Sequence, residues 1–470
     1  MKRLDVLILA AGLGTRMKSD MIKVLHRAAG RPLIDYVLEL ARSVSDTKPL
    51  LVVGHQREDV RKSCGNEVEY CVQEEQLGTG HAVLQAEEKL KRRGLDQADV
   101  LVLSGDVPLT RTETLRQLVE EHRSSGHAVT LLTMELEDPG SYGRIVRDDE
   151  GNVLRIVEAK DATAEELEIR EVNAGIYLFD ETFVYESLHS VGTDNAQGEY
   201  YLTDVVEMAA QSDRGAGAVI AHDPIETFCV NSRADLARIE QEIRDRTIEQ
   251  LMTNGVTFRN PATIVIDSRI EIGRDSIVYN GICLEGKTTI GERCTIETGV
   301  VLRDCTVGDD VHLKAGTVAE SAKIESGAAV GPCAHLRPGT VLGKGVKVGN
   351  FVETKKAVFG DGAKASHLSY IGDAEVGADV NIGAGTITCN YDGVNKHKTI
   401  LEDGVFVGSD TQLVAPVRVG KGAYIGAGST ITKDVPPNSL ALSRPPQKIH
   451  PDWATKRREQ QEKEKESGSK

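Results

Sequence analysis

In the first half of the chain, apolar residues come in short runs separated by polar, helix-forming segments. LDVLILA (4–10), LLVVG (50–54), VLVLSGD (100–106) and VTLLTMEL (129–136) have the length and aliphatic content of buried strands. TETLRQLVEEH (112–122) has the spacing of a helix lying on such a sheet. Strands alternating with helices predict an α/β domain, Rossmann-like, with a mostly parallel sheet and ligands at the carboxyl ends of its strands. From Ser232 to Met252, Leu236, Ile239, Ile243, Ile248 and Leu251 recur at helical spacing and predict a long connecting helix.

Beyond that helix the period changes. Ile266, Ile272, Val278, Leu284, Ile290, Ile296 and Leu302 stand six residues apart. Val318, Ile324, Val330, Leu336, Leu342 and Val348 resume the interval after a slip, as do Val407, Leu413, Val419, Ile425 and Ile431. Neither a helix nor an alternating strand places one aliphatic residue in every sixth position; a solenoid does. Each hexad predicts a short strand and a turn, three hexads a triangular coil, with glycines such as 273, 291, 308, 343, 349, 372, 377, 420 and 426 at the corners. About ten coils at the spacing of neighbouring strands give a prism roughly 45–50 Å long. The repeat is lost at FVETKKAVFGDGAKASHLSY (351–370) and TCNYDGVNKHKT (388–399). Both segments are expected as loops, and loops on a rigid scaffold are where function concentrates.

The expected organisation is therefore an α/β domain at 1–230, a linker helix at 231–252, a parallel β-helix at 253–445 and a tail at 446–470. The end of that tail, ATKRREQQEKEKESGSK, is charged, poor in apolar residues and expected to be disordered. The net charge of −16 argues against broad binding to nucleic acid or to an anionic membrane. No apolar run is long enough for a membrane span, and the N-terminus reaches glycine too early for a signal peptide, so a cytoplasmic protein is expected. Eight cysteines without metal-ligand spacing are expected as free thiols.

Leu9, Ala10, Ala11 and Gly12 open the glycine-rich turn LAAGLGTRM directly after the first strand, where backbone N–H groups can meet a phosphate chain. The turn has neither the Gly-Lys-Ser/Thr of a Walker loop nor the third glycine of the dinucleotide fingerprint. Followed by Lys23, and then in order by Gln73, QLGTGHA (76–82), SGDVPL (104–109), YGRIV (142–146), VEAKDAT (157–163), VNAGIY (172–177), NAQGEYYLTD (195–204) and CVNSR (229–233), it resembles the signature of nucleoside-diphosphate-sugar pyrophosphorylases. With the hexad half, nearly the whole chain resembles the bacterial bifunctional N-acetylglucosamine-1-phosphate uridyltransferases and glucosamine-1-phosphate N-acetyltransferases.

The resemblance implies a left-handed β-helix, a homotrimer with acetyltransferase sites shared between subunits, and two reactions. Acetyl-CoA acetylates glucosamine 1-phosphate, and UTP with Mg²⁺ converts N-acetylglucosamine 1-phosphate to UDP-N-acetylglucosamine and pyrophosphate, a product used in cell-wall synthesis. It implies that Asp106 and Asn231 hold Mg²⁺, that Arg16 and Lys23 neutralise the triphosphate, that Gln73, Gly78 and Thr79 contact uracil, and that Gly143, Glu158 and Asn173 hold the sugar. In the second half it implies Arg337, Lys355, Tyr370, Asn381 and Lys396 for glucosamine 1-phosphate, and Ala384, Asn390, Tyr391, Ser409, Ala427 and Arg444 for acetyl-CoA. His367 would be the general base, since an amine attacking a thioester must lose a proton and imidazole titrates near neutrality. Two positions depart from the family pattern: Ile22 stands where proline is usual and Ser104 where an aromatic residue is often found.

A different reading keeps the nucleotidyltransferase and makes the β-helix only a trimerising scaffold. Another makes the first domain a mere nucleotide binder. His367, Lys355 and Asn390 in the segments that break the hexad argue against the former, and Asp106 with Asn231 against the latter. A covalent acyl-enzyme on Cys389 lacks an activating partner beyond His397.

Overall fold

The computed structural model describes residues 2–12, 14–94 and 98–467. It divides into two compact units, Met1–Glu249 with Ile266–Ser268, and Gln250–Val265 with Arg269–Lys470. The division falls within the helix Arg233–Thr253, which buries Ile239, Ile243, Ile248 and Leu251 as its spacing requires.

The first unit is built on strands β1 (Arg3–Ala10), β2 (Leu50–Val53), β3 (Glu69–Val72), β4 (Ala98–Ser104), β5 (Val129–Glu135), β6 (Arg144–Arg147), β7 (Val153–Val157), β8 (Glu171–Asp180) and β9 (Ala216–Ile220). They form one sheet in the order β9-β5-β8-β4-β1-β2-β3, with the β6–β7 hairpin attached through β8. The central strands are apolar on both faces because helices cover both sides, and two separate cores result. The helix Leu33–Val44 supplies one cover with Leu33, Ile34, Val37, Leu38 and Ala41. The helix expected at 112–122 runs from Thr112 to Ser125 and stops at Gly126, which adopts the left-handed conformation. The sheet is mostly parallel; β8 runs antiparallel to both β4 and β5. A register shift in β8 between Asn173 and Ile176 throws Gly175 toward Ser104 at the end of β4.

The second unit is a left-handed parallel β-helix. Partners Ile272↔Ile290 and Leu284↔Leu302 are one coil apart, and the aliphatic residues of the hexads form buried columns inside the prism. One face carries eleven stacked strands. The other faces merge into a seventeen-stranded sheet where Glu353–Phe359 and Tyr370–Val376 bend through the corner. The glycines that follow inward aliphatics are demanded by close approach: a Cβ on Gly273 would lie 2.6 Å from the backbone nitrogen of Glu292 in the next coil.

Three expectations are corrected. The inward residue after Leu313 is Ala319, paired with Leu302, while Val318 is only partly buried. The segment 351–370 does not leave the prism: Thr354, Phe359 and Ala365 take inward places and its strands stay in register with their neighbours. Its Thr354 is accommodated by a buried hydroxyl pair with Thr340 at 2.9 Å. Only the second interruption loops out, closed by the bridge Tyr391↔Lys396. The tail contains a helix, Trp453–Ser467, because Lys, Arg, Glu and Gln are good helix formers; its lack of apolar residues removes a core contact without removing the helix. All eight cysteines are free, as expected.

Candidate functional site

At the carboxyl ends of β1 and β4 lies a cleft of about 450 Å³. Its lining includes Leu9, Ala10, Ala11, Gly12, Lys23, Gln73, Gly78, Thr79 and Asp106, together with Gln76, Ser104 and Glu199, motif residues to which no site role was assigned. The chain enters the cleft through a tight turn in which Gly14 is left-handed and packs on Lys23; Leu13 lies outside the described residues. Ile22 holds φ −58°, close to the value proline would impose, so the turn keeps its shape without the usual residue.

Lys23 is the junction of the site. Its ammonium makes an ion pair with Asp106 and donates to Asn231 Oδ1 at 3.3 Å, and Arg16 donates to the same oxygen at 3.0 Å. Asn231 is brought there by Val230, whose N–H donates to the Asp106 carbonyl at 3.0 Å, and by Asp235, which accepts from the Asn231 N–H at 3.1 Å. Gln73 donates to the Gly78 carbonyl at 3.1 Å and lies the same distance from His81 Nδ1, which fixes the loop ahead of Thr79.

Beside the cleft, Gly143, Glu158 and Asn173 come together. The Asn173 N–H donates to the Gly143 carbonyl at 2.9 Å, its side chain donates to the Tyr177 hydroxyl at 2.5 Å, and Glu158 lies 3.5 Å from the Thr203 hydroxyl. A Cβ on Gly143 would stand 2.9 Å from Ile156 and 3.6 Å from Glu158, so a side chain there would crowd the group. Burial raises the Glu158 carboxyl above its usual range, opposed by the Thr203 hydrogen bond. Burial, then the Asp106 carboxylate, pushes the Cys229 thiol up to about 12 and leaves it protonated beside Tyr142.

Asp106 and Asn231 both reach one cationic nitrogen, so their oxygens can serve a common cation. A carboxylate and an amide oxygen are hard ligands suited to Mg²⁺, which takes its remaining ligands from water and substrate phosphates. That supply is needed here, because among the described residues no cluster of three or more His, Cys, Asp or Glu could enclose a metal.

In the β-helix a second constellation spans one corner. Arg337 pairs with Glu353 at 2.7 Å, and Glu353 lies opposite Tyr370 in the next coil. Lys396, carried by the protruding loop, approaches Lys355; that neighbour first, and Arg337 after it, lowers the Lys355 ammonium below the usual lysine range. Tyr370 folds over Gly372, and Asn390 donates to Asp373 at 2.5 Å. Three cations thus gather around two carboxylates, Glu353 and Asp373. The sequence reading missed both, since an acidic residue among basic ones carries no signal of its own. Asn381 sits on the adjoining face, in register with Lys364 and Phe406.

His367 stands at the end of the strand Lys364–His367. The pairings Ala365↔Ile382, Ile382↔Val407 and Val407↔Ile425 place His367, Ala384, Ser409 and Ala427 in one column, one coil apart, and Arg444 reaches the Ala427 carbonyl at 2.7 Å. Tyr391 is exposed on the loop, its hydroxyl donating to the Gly393 carbonyl at 2.5 Å. Burial raises the Cys389 thiol, which disfavours a thiolate nucleophile there.

Residues 5–224 match the nucleotidyl transferase family, and residues 398–433 match the bacterial transferase hexapeptide, six repeats. Among curated proteins, "Bifunctional protein GlmU" of Trichlorobacter lovleyi is 52% identical, over 96% of this chain and 98% of its own length. The protein of the same name from Syntrophotalea carbinolica is 53% identical over 96% of each chain. That of Exiguobacterium sibiricum is 48% identical over 95% of this chain and 98% of its own. Residues 5–224 match a nucleotidyl transferase, a stretch of the second half matches a hexapeptide transferase, and the relatives align over 95% or more of both chains: the chain belongs to the bifunctional GlmU family and is a bifunctional transferase.

Proposed function

We propose that the chain makes UDP-N-acetylglucosamine at two sites, one in each unit. In the β-helix, the phosphate of glucosamine 1-phosphate is held by Arg337, Lys355 and Lys396, and its sugar by Tyr370 and Asn381. Acetyl-CoA lies along the column Ala384, Ser409 and Ala427, flanked by Asn390, Tyr391 and Arg444. The substrate amine attacks the thioester carbonyl, His367 takes the proton the nitrogen loses, and the C–S bond breaks to release coenzyme A as a thiolate that is then protonated. No protein nucleophile is needed.

In the first unit, Gln73, Gly78 and Thr79 hold uracil, the turn Leu9–Gly12 lies against the phosphates, and Gly143, Glu158 and Asn173 hold N-acetylglucosamine 1-phosphate. A phosphate oxygen of the sugar phosphate attacks the α-phosphorus of UTP, and the bond to the β-phosphate breaks to release pyrophosphate. Arg16 and Lys23 stabilise the charge that develops on the leaving phosphates. Mg²⁺ held by Asp106 and Asn231 would neutralise the triphosphate and orient it.

The observation that carries this reading is the gathering of three cations, Arg337, Lys355 and Lys396, beside strands that run on from the corner at His367, which itself stands in a column of small residues. A merely structural prism has no use for that arrangement. Homotrimer formation fits Phe406, Tyr424 and Leu440, which stack outward in one exposed apolar row. A stable monomer with full acetyl transfer would contradict it. The site of action is the cytoplasm; among the described residues no helix is long and apolar enough to cross a membrane. The test is to assay both half reactions on His367→Ala and Asp106→Ala. Each variant loses one activity and keeps the other; acetyl transfer surviving in His367→Ala, or uridyl transfer in Asp106→Ala, would overturn the corresponding assignment.

A further inference from the structure

We infer that Asn350 is the residue that positions the acetyl-transfer base, by accepting a hydrogen bond from His367 Nδ1 and thereby presenting Nε2 unprotonated to the substrate amine. The inference rests on the reading of His367 as that base. Asn350 and His367 are direct partners in neighbouring strands of the eleven-stranded face, and Asn350 Oδ1 lies 2.6 Å from His367 Nδ1. An amide oxygen can only accept, so this contact selects the tautomer with the proton on Nδ1 and leaves the lone pair on Nε2. A base with its ring free to flip would present the wrong nitrogen part of the time.

The surroundings act in the same direction. On the other side of His367 in the column is Ala384, whose methyl leaves room for the thioester. Asn350 and His367 are each followed by a large residue in the left-handed conformation, Phe351 at φ 57° and Leu368 at φ 47°. The equivalent corner one coil further on carries Gly385. Bulky residues rarely adopt this conformation, and such strain is held where the chain must turn at a fixed place. The Leu368 N–H donates to the Asn350 carbonyl at 3.0 Å, so the two corners are locked in register as well as the two side chains. An amide does this without adding a charge. A carboxylate in its place would also orient the ring, but would stabilise the imidazolium and hold the base protonated to higher pH.

The test uses the full-length enzyme, with uridyl transfer measured alongside as the sign of an intact chain. Asn350→Ala should lower kcat for acetyl transfer about 10- to 100-fold, with KM for both substrates within about twofold, because orientation is lost and binding is not. Asn350→Asp should recover most of kcat at alkaline pH, with the acidic limb of the pH–rate profile moved up by about one unit or more. A merely structural asparagine would lower thermal stability and leave that limb in place. Acetyl transfer by Asn350→Ala within twofold of the parent, or an unmoved limb in Asn350→Asp, overturns the inference. His367→Ala separates the two levels: if it keeps acetyl transfer, the base assignment itself falls; if it loses acetyl transfer while Asn350→Ala does not, only the role of Asn350 falls.

Discussion

Lys23 stands between the two oxygens assigned to the metal, so removing its charge should change how the enzyme takes up a divalent cation before nucleotide arrives. The Lys23 ammonium pairs with Asp106 and lies 3.3 Å from Asn231 Oδ1, and the Lys23 and Asp106 side chains are 16% and 14% exposed. Opposite unit charges about 4 Å apart attract by about 4 kcal/mol at the effective dielectric of such a partly covered site. Resolvation of a displaced ammonium returns much of this; a residual barrier of about 1.4–2.8 kcal/mol corresponds to a 10- to 100-fold weaker affinity for the cation. Lys23→Met removes the competitor and is nearly isosteric. Direct titration with Mn²⁺ followed by electron paramagnetic resonance, without nucleotide, should show tighter binding to Lys23→Met than to the parent by that factor. In the parent, UTP should recover the difference, since its phosphates draw Lys23 away. Equal Mn²⁺ affinities for the two proteins in the absence of UTP would refute the competition.

Three further outcomes follow from other parts of the molecule. Lys396 and Arg337 lower the Lys355 ammonium below the usual lysine range, so KM for glucosamine 1-phosphate should begin to rise at a pH where an ordinary lysine is still charged. In Lys396→Met the onset should move to higher pH, and a pH profile of KM unchanged by that substitution would contradict it. Gly143→Ala should raise KM for N-acetylglucosamine 1-phosphate at least about tenfold while KM for UTP stays within about twofold, because the new methyl stands against Ile156 and Glu158 on the sugar side only. His122 is buried against Asp99, and burial holds its folded-state pKa down at about 4, so the unfolded chain binds the extra proton between the ordinary histidine range and that value. Its contribution is fully present above pH 6.5 and is lost as pH falls toward 4, a change of about 3 kcal/mol. Urea midpoints for uridyl transfer at pH 7 and pH 5 should differ more for the parent than for His122→Gln, and equal differences would remove His122 from the account.

The inward column of the prism was legible in the sequence wherever that column is aliphatic. It vanished from view at Ala319, Thr354, Ala365 and Thr388, each buried inside the prism. Small and hydroxylated residues are as common in loops as in cores, so hydropathy cannot separate the two. The structure separates them because Thr354 shares a hydrogen bond with Thr340, and Thr388 donates to the Gly372 carbonyl at 3.0 Å. In the first unit the motif residues were legible and much of the sheet around them was not: the edge strands β3 and β9, the β6–β7 hairpin and the interior strand β8 escaped the reading, and β8 is the strand whose irregularity sets Asn173 in place.

The acetyl-transfer corner was legible only as a set of residue types. Its order depends on coil length, which no periodicity reports once a coil gains or loses a residue. Asn350, His367 and Ala384 are successive members of one column, yet the next member, Ser409, follows only after the chain has made the excursion that carries Asn390, Tyr391 and Lys396. The pairing Ile382↔Val407 closes over that excursion without loss of register, because the backbone ladder of the prism, and not the loop, determines where Ser409 falls. In the proposed function the division of labour follows from the physics of a solenoid: the stacked coils fix His367, Asn350 and the column of Ala384, Ser409 and Ala427 in register, while the loop is free to bring the charge of Lys396 to the substrate. Substitution of Lys396 in the loop should therefore act on glucosamine 1-phosphate binding, and substitution of His367 or Asn350 in the column on the rate of transfer.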